Sequence, residues 1–570
     1  MFTFIANIAK PSIICLLLII TALHMMPLPA LADVPQTAKI IRAEALRSSN
    51  DASGRPLPLA AHWHRDSLPL NDQLELIRQG EFLLPWINYY RKMKTSKIEA
   101  HADGFATLRE WRLPLTLITG GQWEADFYES NEFIGRAATE TGLFLNLDNV
   151  LESKVSPLSP IEPWTELGHL WTDNAAALRL QELYPDPPRI FFVSNNETKL
   201  ATTADATNER RFVDLYGTDV TRQFAGEVFG DGWIARYAAL IEGMKDGLTD
   251  PDWKKNSRFM AYQNHALGSK TFGRWGAWYN NPENSMTTAT RFSPWYHVWD
   301  GAVAENYDNN WEREKTAYKV WSMQVEAMNS AFVKEEALKQ NPDFWWELII
   351  WDGDWPNKTK ESTYTEFGLE YTPDLYSGWV QYSMWITTPR VVREWRKSDD
   401  ERSRWWDKFE VVLDAVRRVH KSPVLQKFWR QGELVANTSR THPFSNSLDA
   451  TPEWANIDRW FHLTTSLDPE LPAKLQLYKE EDNVTFPIYT LARIIGSAPN
   501  REWLVYAHSP TGSKADVTVD IPDYKTVQLP IVSVGGAFFH LRESDGSVEQ
   551  IKDIDEVVPI SAPKLKLRQD

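Results

Sequence analysis

The chain has very little cysteine. Its single cysteine among 570 residues, Cys15, lies in an apolar N-terminal stretch that is typical of a secretory signal peptide. Lys10 gives this stretch a positive start, an apolar core follows over 13–23, and an Ala-Leu-Ala cleavage site ends at Ala32. We therefore predict a signal peptide over 1–32, secreted or periplasmic export, and a mature protein that its core stabilises without disulfides.

Long hydrophobic runs and blocks of positive charge are also missing. No apolar stretch approaches the roughly 20 residues of a membrane-spanning helix, so we expect no integral membrane segment after signal cleavage. The formal net charge is −16 and no cluster of lysine or arginine stands out, which makes nucleic acid a poor partner. The sequence has no Gly-rich phosphate loop, no Gly-x-Ser-x-Gly elbow and no His-Glu-x-x-His helix. We expect neither a cofactor nor a metal.

Aromatic residues are abundant, with 27 tryptophans and 19 tyrosines. Flat indole faces suit the apolar face of a sugar ring, although about half of these side chains are needed simply as large core residues. The composition therefore favours a carbohydrate partner only modestly.

Short apolar segments alternate with longer helical ones from about residue 56, a pattern that predicts a parallel sheet wrapped by helices. Eight such units match the (β/α)8 TIM barrel. The predicted strands are 57–63, 81–86, 115–119, 190–193, 258–262, 288–292, 343–350 and 379–386.

The sequence pattern changes after about residue 430, where short segments of alternating apolar and polar residues indicate a C-terminal antiparallel β-sandwich. We predict a barrel over 33–430, a connecting segment over 431–480 and an accessory sandwich over 481–570.

Two predicted strands bring a glutamate toward the carboxyl edge of the barrel, where barrel enzymes place their active sites. Strand four leads through Asn195 and Asn196 into Glu197, and strand seven carries Glu347. In these two motifs the chain resembles the clan A glycoside hydrolases, whose strand four ends in Asn-Glu and whose strand seven ends in a second glutamate. The resemblance includes agarase-type barrels and implies a poly- or oligosaccharide substrate.

The resemblance also implies roles. Glu197 would protonate the leaving oxygen and later activate water, while Glu347 would attack the anomeric carbon and form a covalent intermediate. Carboxyl groups about 5 to 5.5 Å apart suit this retaining mechanism. Asn196 would bind the neighbouring sugar hydroxyl, Tyr296 would orient Glu347, and Trp351 or Trp379 would form a floor for the bonded sugar.

Each glutamate has a structural alternative. Glu197 can be a carboxylate that satisfies a helix N-terminus, and Glu347 can be a buried partner of an arginine. Because apolar residues follow Glu347, strand seven can also end later, and Asp352 or Asp354 would then lie at the rim.

Other polar and aromatic residues at strand ends and in the following loops are candidates for sugar binding, since such loops lie on the active face. They are His62, His64, Trp123, His265, Trp295, Tyr296, His297 and Trp351.

Two further hypotheses remain open. The His62-x-His64 pair is similar to the strand-one pair of metal-dependent amidohydrolases, which would recruit His265, His297 and Asp374 and activate water at a metal. Alternatively, the barrel binds glycans without cleaving them.

Overall fold

The computed structural model describes most of the barrel and of the C-terminal sheets. The described residues are 34–63, 68–119, 123–194, 199–263, 298–307, 341–351, 370–395, 402–437, 461–469 and 486–552, with residues 365 and 368 and a few between 327 and 339.

Eight parallel strands form one sheet in the order β1-β10-β9-β8-β7-β6-β3-β2. A short hairpin, β4–β5, lies outside this sheet. The strands are β1 (Leu59–His62), β2 (Trp86–Tyr89), β3 (Leu115–Thr119), β4 (Leu143–Leu145), β5 (Leu151–Val155), β6 (Ile190–Ser194), β7 (Ser257–Gln263), β8 (Gly301–Tyr307), β9 (Trp345–Trp351) and β10 (Val391–Glu394).

The sheet is nearly closed into a barrel, because Ala60 of β1 forms a parallel bridge with Leu83, just before β2. The stagger of the strands agrees with closure. When paired residues are followed from β1 through β10 and around the sheet to β2, the path returns to β1 about eight residues further along the strand, as in a closed eight-stranded barrel. The predicted parallel barrel is therefore confirmed at this level.

Helices lie along the chain between the strands. They are α1 (Gln36–Leu46), α2 (Leu70–Arg78), α3 (Thr95–Glu99), α4 (Ala102–Trp111), α5 (Trp123–Glu129), α6 (Glu162–Thr172), α7 (Ala175–Leu183), α8 (Arg210–Tyr216), α9 (Arg222–Gly247), α10 (Pro251–Asn256), α11 (Pro373–Thr387), α12 (Arg402–Lys421) and α13 (Pro423–Gln431). None of the helices within the described ranges is long and apolar enough to span a membrane.

Two strand predictions were wrong. The predicted eighth strand, 379–386, lies within helix α11, and the eighth strand of the barrel is β10. The sequence Thr-Pro-Asp at 372–374 is typical of a helix N-terminus. In the structure the Thr372 hydroxyl accepts a hydrogen bond from the Leu375 N–H, and Pro373 occupies the first turn. The sixth strand is β8 rather than 288–292, a segment outside the described residues.

The C-terminal unit contains a five-stranded antiparallel sheet, in the order β11-β12-β13-β16-β17, and a separate two-stranded sheet, β14-β15. The two share a core with Leu463 and Val435, which lie in the segment expected to be a connector. Its strands are β11 (Glu433–Leu434), β12 (Tyr489–Ile495), β13 (Glu502–His508), β14 (Lys514–Asp520), β15 (Thr526–Val532), β16 (Ala537–Arg542) and β17 (Val548–Gln550).

Helix α11 joins the barrel to this C-terminal unit, and two basic side chains donate hydrogen bonds to its carboxyl end. The buried Arg493 of β12 donates to the Trp385 carbonyl from Nε at 2.9 Å and to the Gly432 carbonyl from a terminal nitrogen, also at 2.9 Å. The Lys334 amine donates to the carbonyls of Thr387 and Thr388 at 2.6 and 2.8 Å. Because the last carbonyls of a helix lack internal partners, these contacts tie the unit firmly to the barrel.

Candidate active site

Most of the predicted site residues lie outside the described part of the chain. These are Asn196, Glu197, His64, His265, Trp295, Tyr296 and His297, together with the alternatives Asp352 and Asp354. Trp123 is the first residue of α5, but its side chain is also outside the description. Trp295, Tyr296 and His297 were expected to follow strand six, yet in the chain they precede β8. The described residues therefore include the framework around the carboxyl edge and the predicted residues Glu347, His62, Trp351, Trp379 and Asp374. The last two lie in α11 rather than at a strand end, and the buried Trp379 ring lies near Tyr489 and His508 of the C-terminal sheet, so it forms no floor for a sugar.

Glu347 does not lie at the end of its strand. It is the third of the seven residues of β9, and its side chain is 0% exposed. One carboxylate oxygen accepts a hydrogen bond from the Trp345 indole at 2.7 Å, and the other pairs with the Arg393 guanidinium. This is the structural alternative considered from the sequence, a buried partner of an arginine.

The Arg393 side chain shows that this pair lies inside the barrel. Besides Glu347 on β9, Arg393 of β10 donates to the Thr116 hydroxyl on β3 at 3.2 Å. Strands β10 and β3 are not neighbours in the sheet, so the guanidinium must cross the interior to reach Thr116. It also donates to the His62 carbonyl at 3.4 Å. The pair is thus a cross-brace that holds several strands together.

The barrel stagger places this cross-brace below the carboxyl edge. Trp346 is connected through Ala302 and Ala261 to Ser194, the last residue of β6. In a barrel with this stagger, hydrogen-bonded partners rise along the barrel axis by about one residue at each step from β9 through β8 and β7 to β6. After these three steps, Ser194 is at the height of Ile349 rather than of Trp346. Glu347 therefore lies two residues below the level at which β6 ends, and not at the rim where a nucleophile was expected.

Aromatic side chains fill the barrel near its carboxyl edge. The ring centroids of Trp63 and Tyr262 are 5.2 Å apart, although β1 and β7 lie four strands apart, so this contact also crosses the interior. Trp351 shares the inward face of β9 with Glu347, because the two are four residues apart, and its ring lies 4.7 Å from that of Trp395. We call these four side chains the aromatic layer. Trp351 is 3% exposed, so it is covered in this structure.

His62 faces away from the barrel interior. Its ring packs against Trp405 and Phe409 of α12, with centroids 5.3 and 5.5 Å away, and Nε2 lies 2.8 Å from a Glu394 carboxylate oxygen. Both members of this pair are 0% exposed, in the layer between the sheet and the helix. His62 therefore binds no substrate inside the barrel, and it cannot be the strand-one ligand of an amidohydrolase-type metal site. Among the described residues, no group of three or more metal-binding side chains comes together.

A second ion-pair network lies just beyond β2. Arg91 contacts Asp126 at 2.9 Å and Glu132 at 3.0 Å, and the Trp171 indole donates to Asp126 at 3.2 Å. Burial raises the pKa of Asp126, whereas the hydrogen bond from Arg91 lowers the pKa of Glu132 to about 2. These carboxylates hold the loop after β3 against its neighbours, so we assign them a structural role.

Sequence reasoning missed Arg393, Trp63, Tyr262 and Trp395. The sequence signal that would place these side chains inside the barrel is the alternation of inward and outward residues along β1, β7 and β10. It can be used only when the strand ends and the register are known. Because the eighth strand was predicted at 379–386, Arg393 was not recognised as a strand residue.

Solved structures resemble the chain weakly. The GH26A structure from Muricauda sp. MAR_2010_75 is 12% identical with a TM-score of 0.31, over 69% of this chain and 96% of that chain. A conserved exported protein from Bacteroides fragilis is 8% identical with a TM-score of 0.30, over 85% and 94%. AbfB, a family 51 alpha-L-arabinofuranosidase from Bifidobacterium longum, is 9% identical with a TM-score of 0.33, over 86% and 93%.

No family model matches the chain, and no curated protein matches it. At these identities and TM-scores, the likenesses assign neither a family nor an activity.

Proposed function

We propose that this protein is an exported glycoside hydrolase that cleaves a poly- or oligosaccharide at the carboxyl edge of its barrel, with Glu197 as the acid/base. The observation that carries the proposal is the parallel barrel, whose fourth strand, β6, ends at Ser194, three residues before Glu197. In such barrels, residues that follow the strands build the active site. The aromatic layer packs the barrel interior beneath this edge and supports the mouth from below.

We further propose Asp352 as the second carboxylate, in place of Glu347. Glu347 is buried, paired with Arg393, and two residues below the level that Ser194 shares with Ile349. Asp352 follows Ile349 by three residues, and Glu197 follows Ser194 by three. In the sequence, both residues therefore come shortly after the end of a barrel strand. Asp354, two residues further along, is the alternative.

The chemistry follows from this pairing. A protonated Glu197 donates its proton to the leaving glycosidic oxygen while the ionised Asp352 attacks the anomeric carbon, so the glycosidic bond breaks as an ester bond to Asp352 forms. Glu197, now ionised, takes a proton from water, which attacks the same carbon and releases Asp352. The sugar keeps its anomeric configuration. Asn196 binds the adjacent hydroxyl.

The test begins with purified mature protein and a panel of plant and algal polysaccharides, including agarose and other galactans, with released reducing ends as the readout. With an active substrate, proton NMR of the first product decides between retention and inversion. We expect retention, and a loss of at least about 100-fold in kcat for both Glu197→Gln and Asp352→Asn.

Glu347→Gln is the matched control, since it neutralises a glutamate that we place in the framework. We expect its activity per folded molecule to stay within about threefold of wild type at a reduced stability. Full activity of Asp352→Asn with a complete loss in a folded Glu347→Gln variant would restore Glu347 as the nucleophile. Glycan binding without turnover in wild type, unchanged in Glu197→Gln, would show a non-catalytic barrel.

A further inference from the structure

The loops after β3 and β6 pack together at the carboxyl side of the barrel. We call residues 138–156 and 199–229 the loop subdomain. It has a small apolar core of its own, made of Phe144, Ala201, Ala206, Phe212, Ala225 and Phe229. In the sequence, Glu197 stands two residues before the second of these segments, so the subdomain adjoins the proposed acid/base.

Backbone hydrogen bonds fix this second loop at both ends. Near its start, Val155 of β5 donates to the Lys199 carbonyl at 2.9 Å and accepts from the Ala201 amide at 2.8 Å. Further along, Glu209 forms an antiparallel bridge with Asn146, next to β4. The chain is therefore held two residues after Glu197 and again ten residues later.

The Glu209 side chain lies at the centre of the second attachment and is 0% exposed. One carboxylate oxygen accepts a hydrogen bond from an Arg211 nitrogen at 2.9 Å, and the other is buried. Arg211 in turn donates to the Leu143 carbonyl at 3.0 Å and to the Ala138 carbonyl at 2.8 Å. Through Arg211, the buried carboxylate thus connects the start of α8 to β4 and to residue 138.

We propose that Glu209 is a positioning residue whose buried carboxyl group, beside Arg211, holds the loop after β6 against the β4–β5 hairpin, and that it holds the segment next to Glu197 more firmly when protonated than when ionised. This inference rests on the proposed function for its catalytic consequence, but the tether itself does not depend on that function.

The electrostatic surroundings give the direction of the effect. Burial raises the pKa of Glu209 to about 7, although Arg211 opposes this rise. The cationic groups that face it are Arg211 on α8 and Arg236 on α9, and Glu162 of α6 faces Arg236. In an opened loop the carboxyl group meets water and titrates with the ordinary glutamate pKa, near 4.5. The closed tether is therefore favoured at low pH and loses stability as pH rises from about 4.5 to about 7.

The experiment is hydrogen exchange of the full mature protein, read by mass spectrometry as protection factors corrected for intrinsic pH effects. In wild type we expect the peptides covering 199–217 to lose protection by on the order of 100-fold between about pH 5 and about pH 8, while the barrel strands change little. In Glu209→Gln, whose side chain cannot titrate, we expect this pH dependence to disappear.

Asp205→Asn is the matched control. Asp205 lies in the same loop and pairs with Lys154 at 2.8 Å, so its loss removes a carboxylate from the loop without touching Glu209. This variant should keep the wild-type pH dependence. A flat response in wild type, or an unchanged response in Glu209→Gln, would overturn the proposed tether.

A kinetic measurement separates the tether from the proposed function. On an active glycan, Glu209→Gln should change the pH profile of kcat around neutral pH while KM stays within about twofold. If the tether behaves as expected in hydrogen exchange but no glycan is cleaved, the proposed hydrolase fails and the tether stands. If glycan is cleaved with the same pH profile in both proteins, the positioning role fails.

Discussion

Two buried polar pairs that share strand β10 have opposite relationships to the barrel. Arg393 and Glu394 are consecutive residues of β10, yet Arg393 points into the barrel, toward Glu347, and Glu394 points outward, toward His62. Both pairs are fully buried. Because side chains alternate along a strand, a shift of one residue decides whether a charged group faces the interior or the helix layer. A polar residue at a predicted strand end is therefore a weak site candidate until its face is known.

The two pairs also differ in their surroundings. Arg393 has several polar partners, namely Glu347, the Thr116 hydroxyl and the His62 carbonyl. The His62 ring is enclosed by aromatic rings, with Trp405 and Phe409 nearest. The inner pair braces strands across the barrel, whereas the outer pair fastens α12 to two adjacent strands. Breaking the inner pair should therefore cost more than breaking the outer one.

The largest effect is expected from Arg393→Met. This change removes the cation but leaves the Glu347 carboxylate buried, so we expect the free energy of unfolding to fall by about 3–5 kcal/mol, measured by urea denaturation. The double variant Glu347→Leu/Arg393→Met removes both charges and should recover most of the loss. A single variant that loses less than about 1 kcal/mol would show that the pair does not brace the barrel.

A smaller effect is expected from His62→Phe. The new ring fits among the same aromatic neighbours but leaves Glu394 without its imidazole partner, so we expect a loss of about 2 kcal/mol in unfolding free energy. Catalysis per folded molecule should be unchanged, because His62 faces the helix layer. Lost activity or lost metal at unaltered stability would instead return His62 to the active site.

The smallest expected effect is a loss of stability at acidic pH. His420 of α12 lies in the same outer layer, where Nε2 is 2.8 Å from the Pro58 carbonyl and the ring stacks on Phe82. Burial lowers the pKa of His420 from 6.5 to about 4, so its stabilising contribution is complete above about pH 6.5 and is lost as pH falls toward 4. Between pH 7 and about pH 5.5 we expect a loss of about 1 kcal/mol from this residue.

Stability measured against pH in wild type and in His420→Phe checks this expectation. The variant should show a shallower decline over that range, even if its stability at pH 7 is lower. Parallel curves would mean that His420 titrates alike in the folded and unfolded states.

Much of the barrel could be predicted from the sequence. Strand β3 has the predicted bounds, 115–119, and the predicted fourth, fifth and seventh strands overlap β6, β7 and β9. These short apolar segments have clear ends. The run 379–386 was misassigned because Gln381 and Ser383 alternate with apolar neighbours, a period of two that is typical of a strand, although the segment forms a buried helix. Helix α11 is buried on nearly all sides, between the barrel and the C-terminal sheet, so it carries no polar face.

The parallel barrel, the C-terminal antiparallel unit and the Asn-Glu motif after strand four could be predicted from the sequence, because each depends on local pattern. The pairing of Glu347 with Arg393, the contact of His62 with α12 and the reach of Arg393 across the interior could be recognised only in the folded chain. Those assignments depend on where each strand ends and on the stagger around the barrel. Both arise from contacts between residues that are far apart in the chain, such as Arg393 with Thr116.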